Sequence, residues 1–140
     1  KAARSVTRAR AVALAALGRR GEAIKQLESL ADAFPHDGQT QEALARLLSS
    51  GPQPDYRAAV AKWSEVAVRS RPGTPRWLRA NYQLARTQLE LGQVAAARAT
   101  ISRVAAKSPD FGGAEIKSRF DRLAAEIEQP PKRAGRTTAP

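Results

Sequence analysis

Apolar side chains recur along this chain every three or four residues, in short runs cut by Gly and Pro. Ile24, Leu27, Leu30, Ala31 and Phe34 form one stripe, and Leu44, Leu47 and Leu48 a second. Ala59, Val60, Trp63, Val66 and Ala67 form a third, and Ile116, Phe120, Leu123 and Ile127 a fourth. That period predicts amphipathic helices, here over residues 3–17, 22–34, 39–49, 56–70, 75–91, 94–107 and 113–128. Between them stand Gly18 to Gly21, Pro35-His36-Asp37-Gly38, Gly51-Pro52-Gln53-Pro54, Arg71 to Pro75, Gly92 and Ser108-Pro109-Asp110. Asp55 and Thr74 fit N-caps, and Pro75 fits the first helical position. No segment reads as a strand. Helices this short are marginal alone, so each stripe must be buried against a neighbouring helix.

The pattern repeats. Residues 16–35, ALGRRGEAIKQLESLADAFP, and residues 90–109, ELGQVAAARATISRVAAKSP, share Leu-Gly at the second and third places, Ala at the eighth, apolar residues at the twelfth and fifteenth, and a closing Pro. Pro35, Pro72 and Pro109 are spaced 37 residues apart. Within each interval a small residue precedes two larger apolar ones, as Ala23/Leu27/Leu30, Ala59/Trp63/Val66 and Ala97/Ile101/Val104. A small side chain lets antiparallel helices approach to about 8–10 Å, and the residues four and seven later lie on the same face and fill the groove.

This grammar resembles the tetratricopeptide repeat, a helix pair with a small residue at its turn, Ala early in the second helix and Pro at its close. Gly18, Ala23 and Pro35 match, as do Gly92, Ala97 and Pro109. The middle unit keeps Ala59, Trp63 and Pro72 but replaces the turn Gly with the GPQPD loop, and the family's early Trp is absent from the first unit. The resemblance implies an all-α, right-handed solenoid over residues 1–129. Its units span about 4–37, 38–74 and 75–110, with a capping helix over 113–128. The basic, Pro-containing segment 130–140 is expected to be disordered. Met is absent even at position 1, and the first residues already read as a helix, so upstream repeats of the same chain are expected.

Net charge is +11, and basic residues cluster. Residues 1–20 carry six and residues 66–89 carry five, with no acid in either stretch. Arg outnumbers Lys 18 to 6, which favours bidentate pairing with carboxylate or phosphate, although a GC-rich coding bias also enriches Arg and Ala. Cys is absent, which removes disulfides, thiol catalysis and Cys-ligated metal. The redox compartment stays open, with the cytoplasm favoured over the periplasm. No apolar run reaches the roughly 20 residues of a membrane span.

Nothing points to an enzyme, a cofactor or a metal. The only His, His36, stands alone in a loop, and the acids read as single surface charges. Asp110-Phe111-Gly112 copies a kinase tripeptide with no other kinase feature around it.

The helix over 75–91 carries the candidate site. On a helical wheel Arg76, Arg79, Gln83, Arg86 and Glu90 fall within about a quarter-turn, and Trp77, Leu78, Tyr82, Leu84, Ala85, Leu89 and Leu91 occupy the other side. In the resembling family the first helix of each pair lines a concave groove. The corresponding positions here are Arg79, Tyr82 and Arg86 in the third unit, and Ser5, Arg8 and Val12 in the first. In the second unit they are Gln41, Leu44 and Leu48, where the leucines suit the core better. The expected site is therefore Arg8, Arg76, Arg79, Gln83 and Arg86, with Tyr82 as a platform for an acidic segment of another protein. The Asn and Lys residues with which some members clamp a C-terminal carboxylate are not matched, since Asn81 is out of register. A nucleic-acid-binding reading competes through phosphate neutralisation by the same arginines. A purely architectural segment of a larger assembly is the third reading.

Overall fold

The computed structural model describes residues 2–129; the expected tail over 130–140 lies outside them. Seven helices follow one another: α1 (Ala2–Ala16), α2 (Arg20–Ala33), α3 (Gly38–Ser49), α4 (Tyr56–Arg69), α5 (Pro75–Glu90), α6 (Val94–Lys107) and α7 (Ala114–Glu128). No strand occurs among the described residues. Each helix packs on the next, and α1 on α3 and α5 on α7 add contacts one repeat apart. The result is an all-α helical-repeat solenoid.

The small residues do what helix approach demands. Ala23, Ala59 and Ala97 are all fully buried, so backbones meet where no bulk intervenes. Of the larger residues that follow them, Leu27, Trp63, Val66 and Val104 are buried, whereas Leu30 and Ile101 are only half-buried. Phe34 departs from its expected stripe. It is the C-cap of α2, 42% exposed, with the Arg4 guanidinium 4.4 Å over its ring. A residue on the last turn of a stripe has left the helix before its periodicity can aim it inward.

The two Gly turns are geometric copies. Gly18 and Gly92 have φ of +83° and +76°. Beside them, Arg19 N–H donates to Leu14 O and Gln93 N–H to Gln88 O, both at 2.9 Å. These are the six-to-one bonds of a Schellman ending, which needs a left-handed residue at the turn. The middle unit closes differently, with Asp55 N–H donating to Leu48 O at 2.8 Å across the GPQPD loop. Asp55 then caps α4 by accepting from Ala58 N–H, and Thr74 caps α5 by accepting from Trp77 N–H.

Trp63 is fully buried among residues of α1 to α5, and its indole N–H donates to Ser49 Oγ at 3.3 Å. A second cluster joins Trp77, Leu78, Val104 and Phe111 to Phe120 of α7. The Asp110-Phe111-Gly112 tripeptide belongs here. Phe111 takes φ +54° and its ring lies 5.1 Å from that of Phe120. Gly112 takes φ +75°, and a Cβ there would stand 2.5 Å from Leu78 Cδ1, so glycine suits this turn both by backbone conformation and by space.

Candidate functional site

The first helices of successive pairs, α1, α3, α5 and then α7, are laced together by charge. Arg8 donates to Asp37 at 3.2 Å, to Thr40 at 3.2 Å and to Gln39 at 2.8 Å, and Arg4 approaches Asp37 at 3.6 Å. The Thr40 hydroxyl, fully buried, donates to the same carboxylate at 2.8 Å. Burial raises the Asp37 pKa, but the Thr40 hydrogen bond and the charges of Arg8 and Arg4 outweigh it and hold the group below its ordinary value.

Glu42 is the centre of the next junction. Its side chain is 10% exposed, and three arginines converge on it. Arg79 binds it bidentately at 2.8 and 3.1 Å, Arg46 at 2.8 Å and Arg76 at 3.3 Å. Burial pushes this carboxyl up. The hydrogen bonds from Arg79 and Arg46, with their charges, overcome that and bring it down to about 2. The bond to Glu42 raises the Arg79 pKa in turn. Arg76 reaches this place by lying over the bare Cα of Gly38, where a Cβ would meet its Nη1 at 2.7 Å.

The third junction is more open. Arg86 pairs with Glu126 of α7 at 3.0 and 3.2 Å, both side chains being about two-fifths exposed. Tyr82 and Phe120 form a T-shaped ring pair with centroids 5.4 Å apart, and the Arg119 guanidinium sits 4.8 Å over the Tyr82 ring. Arg46, Leu78, Arg79, Tyr82, Gln83, Ile116 and Arg119 enclose a cavity of about 80 Å³.

Arg79, Tyr82 and Gln83 thus share one pocket, Arg76 joins them through Glu42, and Arg86 lies at the α7 junction. Arg8 belongs to a separate cluster around Asp37. Each of the expected arginines already meets a carboxylate of its own chain. Leu44 and Leu48 are core residues, as is Gln41, whose amide donates to Ala31 O at 3.0 Å. Asn81 is fully buried on the opposite side of α5, donating to Trp77 O and accepting from Arg103.

Glu42 corrects the reading of the acids as isolated surface charges. A signal for it exists in the spacing. Glu42 and Arg79 are 37 residues apart, the interval between the prolines, and so are Tyr82 and Arg119. In a stack of repeats, equivalent positions of adjacent units become neighbours, and both pairs are in contact. Arg20 carried no such signal. It donates to Leu47 O and Leu48 O at 3.0 and 3.1 Å, satisfying the carbonyl end of α3.

Among the described residues no group of three or more His, Cys, Asp or Glu could hold a metal ion, and no helix is long and apolar enough to cross a membrane. Helix pairs stacked in sequence define a helical-repeat interaction scaffold. Tetratricopeptide repeat models match residues 4–47 and 79–110, together more than half of the sequence. The chain belongs to the tetratricopeptide repeat family, whose repeats mediate binding of protein partners and are typically non-catalytic. No curated protein and no solved structure matches it.

Proposed function

We propose that this chain is a non-enzymatic scaffold that binds an acidic segment of a partner protein along the face shared by α3, α5 and α7. The observation that carries the reading is an imbalance of charge. Arg46, Arg76 and Arg79 share the single carboxylate of Glu42, and Arg4 and Arg8 share that of Asp37. Internal pairing therefore pre-orients the guanidiniums without neutralising them, which lowers the ordering cost of binding. Arg46, Arg76 and Arg79 remain 49%, 36% and 42% exposed, so their outer N–H donors are open to a second carboxylate.

The size of the adjoining pocket bears on the ligand class. The cavity of about 80 Å³ beside Tyr82 suits one small apolar side chain, and an open one of about 560 Å³, lined by Gly38, Arg76 and Arg79, leaves room for the chain that follows it. A peptide with an aliphatic anchor flanked by Glu or Asp fits both features. The nucleic-acid alternative loses two of its four aromatic groups, since Trp63 and Trp77 are buried, while Tyr56 and Tyr82 stay half-buried.

The test is fluorescence anisotropy with a peptide of about 12 residues carrying Leu between glutamates. Arg46→Gln/Arg76→Gln leaves the Arg79–Glu42 pair in place and is expected to weaken binding about tenfold. A single-stranded oligonucleotide is the comparison ligand, whose affinity would fall by orders of magnitude between 50 and 200 mM salt. Unchanged peptide affinity in the double variant, or tighter binding of the oligonucleotide in 200 mM salt, overturns the reading.

A further inference from the structure

The opposite side of α5 carries a second concavity, of about 560 Å³, with α4 and α6 as its walls. Its floor is Trp77, Asn81, Leu84 and Gln88. At 100° per residue these lie half a turn around α5 from Arg79, Gln83 and Arg86. Both walls pack extensively on α5, and no comparable packing joins α4 to α6, so a trough stays open between them.

We propose that this trough is a second docking surface, for an amphipathic helix with an acidic flank from another protein. Four observations point to that occupant. The wall residues are small, with Ser64 and Ala67 on α4 facing Ala96 and Ala99 on α6, and small residues let a third helix approach closely. Val68, 85% exposed, projects from the rim. A single exposed valine is ordinary on a surface, but this one borders a concavity, where a docked helix would cover it.

The polar groups of the floor are already satisfied. Asn81 donates to Trp77 O at 2.9 Å and accepts from Arg103 at 3.1 Å, and Gln88 Oε1 accepts from the Thr100 hydroxyl at 2.8 Å. Trp77, Asn81 and Leu84 are themselves buried, so an incoming helix need supply apolar surface chiefly to Val68, Ala96 and Ala99 on the walls. The charge comes from one end. Arg103 and Lys107 line the trough, none of its lining residues is acidic, and Lys107 meets no carboxylate among the described residues. A guanidinium has five N–H donors, and among the described residues only one contact, to Asn81, engages that of Arg103. The chain's own 130–140 segment, with Lys132, Arg133, Arg136 and no acid, is of the wrong sign, and a second copy at +11 is repelled.

This inference is independent of the inner-face reading. The probe is a helical peptide of about 16 residues with Leu at i, i+3, i+4 and i+7 and Glu on one flank, titrated into the ¹⁵N-labelled chain. The amides of Val68, Ala96, Ala99 and Lys107 are expected to shift. Lys107→Glu and Val68→Glu, both on exposed residues, are each expected to weaken binding at least about fivefold, while Arg46→Gln/Arg76→Gln leaves these shifts intact. Replacing the peptide's Glu by Gln should weaken it similarly. Shifts confined to the inner face, equal affinity of the charge-reversal variants, or no shift at millimolar peptide overturns the proposal. Such a failure leaves the inner-face test unaffected.

Discussion

Two acids receive arginines from the same helix and do different work. Glu42 sits beneath Arg79, Arg76 and Arg46 with 10% of its side chain exposed, whereas Glu126 meets Arg86 with 44% exposed. At the α3–α5 junction a desolvated carboxylate is the shared acceptor, and its hydrogen bonds substitute for lost water. At the α5–α7 junction the adhesive is packing: Phe120, fully buried, fills the space between Tyr82 and Phe111, and the ion pair decorates the rim. Neighbouring repeats of similar backbone geometry are thus joined by different physics, set by how deeply each acid is buried.

Substitutions can break that contrast. Phe120→Ala should have the largest effect, a loss of about 3–4 kcal/mol in urea unfolding, because the ring leaves a cavity as well as lost contact. Glu42→Gln comes next at about 2 kcal/mol; the half-exposed guanidiniums regain water, which limits the cost. Its pH signature is specific. The folded pKa is about 2 against an ordinary 4.5, so the unfolded chain takes up the proton first. The stabilisation is present in full above the ordinary value and is lost as pH falls toward 2. Wild type should therefore weaken between about pH 5 and pH 2, and Glu42→Gln should flatten that limb, leaving a smaller slope from Asp37. Arg79→Ala should cost about 1 kcal/mol, since Arg46 and Arg76 remain on the carboxylate. Arg86→Ala should change stability by less than about 0.5 kcal/mol, an effect that salt erases. Equal costs for Arg79→Ala and Arg86→Ala would show that burial of the acid does not separate the junctions.

What was legible in the order of residues was whatever a single helix or turn decides by itself. The capping of α5 by Thr74, the Gly18 and Gly92 turns and the buried Ala23, Ala59 and Ala97 follow from local stereochemistry and period. So does the facing of Arg76, Arg79, Gln83 and Arg86 to one side of α5, since a wheel needs no neighbour. Glu42 is not legible in this way, because its flanking residues mark it as one more charge on a helix. Its burial is imposed by arginines 34 and 37 residues downstream. Phe34 leaves its stripe because it stands at a helix end, where the period stops predicting direction.

Helix positions, turn chemistry and repeat interval are therefore properties of the chain as written, because each depends on torsions and side-chain volumes within a few residues. Which arginines meet which acids, the small pocket beside Tyr82 and the trough between α4 and α6 belong to the folded stack alone. They arise where surfaces from different repeats are brought together, and Coulomb energy and desolvation act over those distances whatever the separation along the backbone.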